Sequence, residues 1–158
     1  MPPARDTANL PVSPPLLYLV PFLAGVLVHH VAAGDRIPPS TLTAARILGG
    51  VLVAIGLAIN VSAWIAFHRA RTPVLPTRPT TAIVVGGPYR FTRNPLYLSL
   101  AVIYAGVVLL LGYLWPLVFL PLALVLISRL VIAREELYLA RKFGPEYAQY
   151  RDSVRRWL

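Results

Sequence analysis

The chain has no cysteine, and of its 158 residues only 13% are charged, with 6 acidic residues and 3 histidines. The missing cysteines exclude a disulfide framework, thiolate metal sites and a cysteine nucleophile, and leave the compartment open. Ordinary globular domains carry roughly 25% charged residues. Half that share, beside 57% hydrophobic residues, fits a chain whose surface meets lipid. No Walker loop or G-x-G-x-x-G after a strand is present, so the common nucleotide folds have no support. His29 and His30 are adjacent and diverge by about 100° on a helix, while His68 lies beyond the second apolar run, so no metal site is expected. Ser-His-Asp chemistry has equally little support, because Asp6, Asp35 and Asp152 lie outside the apolar runs and no serine sits in an elbow motif. What the chain does have is 15 Lys+Arg and a formal charge of +9. In a soluble protein that would suggest nucleic acid; in this one it points to anionic membrane lipids and no nucleic-acid partner.

Four apolar runs stand out, Leu16–Ala33, Ile47–Phe67, Pro95–Tyr113 and Leu114–Ala133, of 18, 21, 19 and 20 residues. Each is close to the ~20 needed to cross ~30 Å of hydrocarbon. The expected fold is an all-α polytopic membrane helix bundle of about four transmembrane helices. Pro21 interrupts the first run and Pro116 and Pro121 the fourth, where kinks or an incomplete crossing are expected. Val31 and Ala33 would suit a signal-peptide cleavage site, but the first fifteen residues hold one Arg, one Asp and five prolines, not a charged leader. Arg69, Arg71, Arg78, Arg90 and Arg93 in the second loop, and Arg134, Arg141, Lys142, Arg151, Arg155 and Arg156 in the tail, outweigh Arg36 and Arg46 in the first loop. By the positive-inside rule both termini then face the cytoplasm. Within the second run, Gly50, Ala54, Ala58, Ser62 and Ala66 form a small-residue stripe, suited either to intramolecular packing or to a homo-oligomer contact.

Polar groups retained near a membrane mark function, because each is costly there. One cluster runs from Gly86 to Tyr97, where Asn94 reads as a helix N-cap and Pro95 as the first helical residue. A helix N-terminus with Arg93 beside it suits an anion, and Arg93, Tyr97 and Tyr104 share roughly one face. The plain alternative is a turn whose arginines reach to lipid headgroups. A second cluster joins Arg129 to Arg134, Glu135 and Glu136; Arg129 and Glu136 are seven residues apart and face the same way on a continuous helix. A new helix is expected to start after Gly144 and Pro145, and Phe143, Tyr147, Tyr150, Val154 and Trp157 at spacings of 4, 3, 4 and 3 give the apolar face of a C-terminal cytoplasmic amphipathic helix.

Together the clusters form a recognisable pattern. Gly87-Pro88-Tyr89-Arg90-Phe91-Thr92-Arg93-Asn94-Pro95-Leu96-Tyr97, a two-span hairpin, Arg134-Glu135-Glu136-Leu137-Tyr138-Leu139 and Phe143-Gly144-Pro145-Glu146-Tyr147-Ala148-Gln149-Tyr150 resemble the isoprenylcysteine carboxyl methyltransferase family. The proline-rich stretch Thr72–Pro79 is similar to the lead-in of its bacterial members. The resemblance implies an integral membrane methyltransferase of the bacterial inner membrane that uses S-adenosylmethionine, with a cytoplasmic active site and a lipid-like or prenylated acceptor. It divides a single membrane domain into an N-terminal two-span hairpin, residues 1–71, and a cofactor-binding catalytic part, residues 72–158. Carried over by position, it places Gly87, Tyr89, Arg93, Asn94, Pro95, Tyr97, Glu135, Glu136 and Tyr147 at the cofactor.

Arg129 or Arg93 would orient an acidic acceptor group, and Glu135 or Glu136 would serve as base for a neutral one. The acceptor atom itself, in a carboxylate, amine or thiol, is left open. Asn94 stands where the carboxyl methyltransferases have histidine, and asparagine cannot shuttle a proton near neutral pH. Two other classes compete: a nicotinamide-dependent reductase, since membrane sterol reductases resemble this family in their C-terminal half, and a non-enzymatic membrane adaptor.

Overall fold

A computed structural model describes residues 6–31, 36–75 and 78–158. Ala33, of the considered cleavage site, and Pro76, of the proline-rich stretch, lie outside the described residues. The elements are helices α1 (Leu16–Val31), α2 (Pro39–Arg69), α3 (Pro95–Leu111), α4 (Trp115–Ile127), α5 (Ala133–Phe143) and α6 (Pro145–Ser153), with a short 3-10 turn at Gly87–Arg90. Among the described residues there is no strand, only an isolated bridge between Arg36 and Tyr113.

A π-helical turn at Ser128–Ile132 joins α4 to α5, so Trp115–Phe143 is one unbroken helix. It and α2 are the two helices long and apolar enough to cross a membrane, while α1 and α3 are shorter apolar helices. Only 11% of the most apolar stretch of α2 is buried, which separates it from the core helix of a soluble protein. Large apolar side chains point outward instead, including Val51, Leu57, Val61 and Trp64 on α2 and Val118 and Val125 on α4. Such a surface fits lipid and would be an aggregation hazard in water. The apolar stretch of the long helix ends at Ala133; α5 beyond it carries Arg134, Glu135, Glu136, Arg141 and Lys142.

The helices pack chiefly in two pairs, α2 on α3 and α1 on α4, with α3 also touching α4. Glycines let the backbones approach: a Cβ on Gly106 would lie 2.7 Å from the Gly49 carbonyl oxygen, and one on Gly56 3.0 Å from that of Ser99. The buried small residues of α2 are therefore Gly49, Gly56, Ala63 and Ala66. Of the stripe read from the sequence, Gly50, Ala54, Ala58 and Ser62 are exposed, and a Cβ on Gly50 would meet nothing. A spacing of four drifts around a helix of 3.6 residues per turn, so the contact with α3 follows a spacing of seven instead. Asn60 Nδ2 donates to Ser99 Oγ at 2.8 Å, and Ser99 Oγ to the Leu96 carbonyl at 2.7 Å, polar links typical of packed membrane helices.

The hairpin between α3 and α4 closes at Gly112, whose φ of +73° suits glycine because a Cβ disfavours that region. Its N–H donates back to Val108 and Leu109. Tyr104 does not reach the polar cluster read from its helical face. Its hydroxyl donates to the Pro116 carbonyl at 2.6 Å, and its ring meets Phe22 edge-on at 5.3 Å, tying α3 to α4 and α1. Around it lies the main core of Leu17, Tyr18, Ala101, Val108, Ala123, Ile127, Val131 and Ile132.

Candidate functional site

The chain enters α3 through a built turn. Gly87 has φ +60°, which glycine adopts readily, and the 3-10 turn after it buries the Tyr89 ring edge-on against Phe67 of α2 at 5.5 Å. Pro95 opens α3 as its first helical residue, where its missing N–H costs nothing. Asn94 occupies the N-cap position, but its side chain makes no capping bond. Instead Nδ2 donates to the Arg156 carbonyl at 2.8 Å, and the Asn94 N–H donates to Thr92 Oγ1 at 3.2 Å. The amide thus ties α3 to the segment following α6.

Against this entrance lies the acidic first turn of α5. Tyr97 donates its hydroxyl to Glu135 Oε1 at 2.7 Å. Glu136 receives two guanidinium groups, with Arg93 Nη2 3.1 Å from Oε1 and Arg156 forked across both oxygens. Arg93 is nearly buried, and its Nε has no partner among the described residues. Glu135 makes no ion pair among them.

These groups line a cavity of about 120 Å³. Its wall includes Tyr89, Arg93, Asn94, Tyr97, Glu135, Glu136 and Tyr147, so seven positions named from the sequence come together. Phe67, Val84, Leu96 and Leu139 add apolar surface, and Thr80, Tyr138 and Tyr150 polar groups. Tyr138 was visible only as part of the Glu-Glu motif. Its hydroxyl accepts the Thr80 N–H at 3.1 Å and lies 3.1 Å from Asp6, which pairs with Lys142 at 2.5 Å. The segment after Asp6 therefore crosses the site, with Ala8 in the wall.

Gly87, Pro95 and Arg129 stand outside the lining. The first two shape the backbone at the entrance. Arg129 is exposed and lies in the π-helical turn. A π turn takes up more residues than an α turn, so the helix between Arg129 and Glu136 does not keep the regular register that the seven-residue spacing assumed. The predicted terminal helix also differs: α6 ends at Ser153, and Val154 is extended with φ −130° and ψ 134°. Tyr147 is buried against the site, while Val154 and Trp157 lie beyond the helix.

Burial drives the Glu135 carboxyl up to about 7; the Tyr97 hydrogen bond opposes that, and the neighbouring Glu136 charge adds to it. Burial also pushes up the hydroxyls of Tyr89, Tyr147 and Tyr150, which stay neutral donors near pH 7. Among the described residues, the site therefore combines a carboxyl group without a cationic partner, a guanidinium with one unpartnered donor and several aromatic faces. It can bind a ligand carrying both an ammonium and a carboxylate, and aromatic faces attract a further cation.

No solved structure matches the chain. A Haemophilus influenzae protein described only as uncharacterized is 43% identical over 63 residues, which cover 40% of this chain and 100% of that protein. Residues 44–146 match the family model for phospholipid methyltransferases, well over half the chain and including Tyr89, Arg93, Asn94, Tyr97, Glu135 and Glu136. The resemblance read from Gly87–Tyr97 and from Glu135 and Glu136 falls within that match. By this match, the chain belongs to the phospholipid methyltransferase family.

Proposed function

We infer that the protein is an integral membrane methyltransferase that takes S-adenosylmethionine in the cavity between α3 and α5 and methylates a lipophilic or amphiphilic acceptor. The observation that carries this reading is that the cavity wall sets Glu135, which has no cationic partner among the described residues, beside Arg93, whose buried Nε has no acceptor among them. These are the counter-groups for the ammonium and carboxylate of an amino acid, which the cofactor carries on its methionine portion. When bound, the cofactor supplies an electrophilic methyl group on a sulfonium. Glu135 would hold the ammonium and Arg93 the carboxylate. Tyr89 and Tyr147 offer ring faces to the sulfonium, and Phe67, Val84 and Leu96 exclude water, which strengthens each polar contact.

An acceptor held in line with the methyl group gains rate chiefly from proximity. A carboxylate acceptor needs no base. An amine or thiol needs a base other than Glu135, which the ammonium would occupy. The apolar outer faces of α2 and α4 support an acceptor arriving through lipid. The shorter α1 and α3 pack on those two long helices, which supports a four-span bundle. The arginine distribution supports a cytoplasmic site at an inner membrane, among anionic lipids. The exposed stripe Gly50, Ala54, Ala58 and Ser62 is open for a homo-oligomer contact. The experiment is transfer of radiolabelled methyl from S-adenosylmethionine into a lipid extract by the purified protein. Labelled lipid that disappears with Glu135→Gln supports the reading; no label with any extract, from protein that binds the cofactor, contradicts the acceptor class.

A further inference from the structure

The chain leaves α6 extended at Val154, and the residues that follow return to the start of α3. Three contacts fasten them there. The Arg155 carbonyl accepts the Arg93 N–H at 3.0 Å, and the Arg156 carbonyl accepts Asn94 Nδ2 at 2.8 Å and Thr92 Oγ1 at 3.1 Å. The Arg156 guanidinium forks across both oxygens of Glu136. Trp157 then packs against the main core, which anchors the strap from behind. Arg156 thus touches both halves of the site, Asn94 through its backbone and Glu136 through its side chain, though it is not in the cavity wall. It also lies outside the region matched by the family model.

We propose that Arg156 is a positioning residue that clamps Glu136 and the entrance of α3 into the geometry the cofactor site needs. The forked bond orients Glu136 so that Oε1 also meets Arg93 at 3.1 Å, and Arg93 is thereby held along the cavity wall. A planar guanidinium satisfies two carboxylate oxygens at once; a lysine ammonium keeps the charge and one such contact but loses the fork. The clamp frees Glu135, next in sequence, to face the cavity without a cationic partner.

This inference rests on the cofactor reading above, so its test carries a readout independent of ligand. Full-length wild type, Arg156→Ala and Arg156→Lys are compared in detergent for S-adenosylmethionine affinity by calorimetry and for amide exchange at Arg93 without ligand. The expected result is at least tenfold weaker binding and faster Arg93 exchange in the alanine variant, with part of both recovered by lysine. Wild-type affinity in Arg156→Ala, or a loss equally large in Arg156→Lys, overturns the proposal. If wild type itself binds no cofactor, the functional reading fails, and exchange at Arg93 alone decides the clamp: unchanged exchange in Arg156→Ala overturns it.

Discussion

Tyr97 donates its hydroxyl to Glu135 at 2.7 Å, while Glu136, one residue on, is held by Arg93 and Arg156. Two adjacent carboxylates thus have different surroundings, one paired with cations and one left with a neutral donor. That asymmetry is a common way for a site to divide acid-base roles between like groups.

The first prediction follows from that hydrogen bond, which favours the charged form of Glu135 against its burial. Removing it with Tyr97→Phe raises the carboxyl further above about 7. Binding that needs ionised Glu135 weakens as pH falls, so the acid limb of the affinity profile shifts to higher pH in the variant. Calorimetry between pH 5.5 and 9 checks this; a limb that stays put or shifts lower contradicts it.

Stability should show the same group with a definite sign. Folded Glu135 keeps its proton up to about 7, against an ordinary value of 4.5. The stability contributed by the protonated group is therefore complete below pH 4.5 and is lost as pH rises through about 7. Glu135→Gln removes this dependence, and at pH 8 the variant is expected to be more stable than wild type by on the order of 1–3 kcal/mol. Unfolding midpoints across this range test it; a variant less stable at pH 8 than at pH 5, relative to wild type, contradicts it.

Packing between α2 and α3 gives a prediction that involves no ligand. A Cβ on Gly49 would lie 2.7 Å from the Gly106 carbonyl oxygen, whereas one on Gly50 would meet nothing. Gly49→Ala should cost roughly 1–3 kcal/mol through overpacking, and Gly50→Ala should be neutral or stabilising by up to about 1 kcal/mol, as alanine is the better helix former. Thermal unfolding of both in the same detergent makes the comparison. Equal effects would contradict the helix register.

Much of this arrangement is legible in the sequence because its causes are local. Asn94-Pro95 marks the start of α3, the apolar runs mark the long helices, and the ordered pair of motifs assembles seven side chains on one cavity. Helix α2 begins at Pro39, well before Ile47, because hydropathy follows contact with lipid and takes no account of where a helix starts. The π-helical turn at 128–132 escapes notice because its wider turn has no residue signature, and Arg129, which lies in it, is exposed and outside the cavity wall. The strap is hidden for a different reason: it holds Asn94 and Arg93 through backbone carbonyls, which every residue possesses. The buried stripe Gly49, Gly56 and Ala63 is visible only once α3 is known to lie on that face.

Binding of S-adenosylmethionine to the detergent-purified protein, measured by calorimetry beside NADPH and a Glu136→Gln variant, tests the central claim most directly. The account predicts saturable binding of S-adenosylmethionine, at least tenfold weaker in the variant, and none of NADPH. A folded wild-type protein that binds NADPH, or neither ligand, would contradict it.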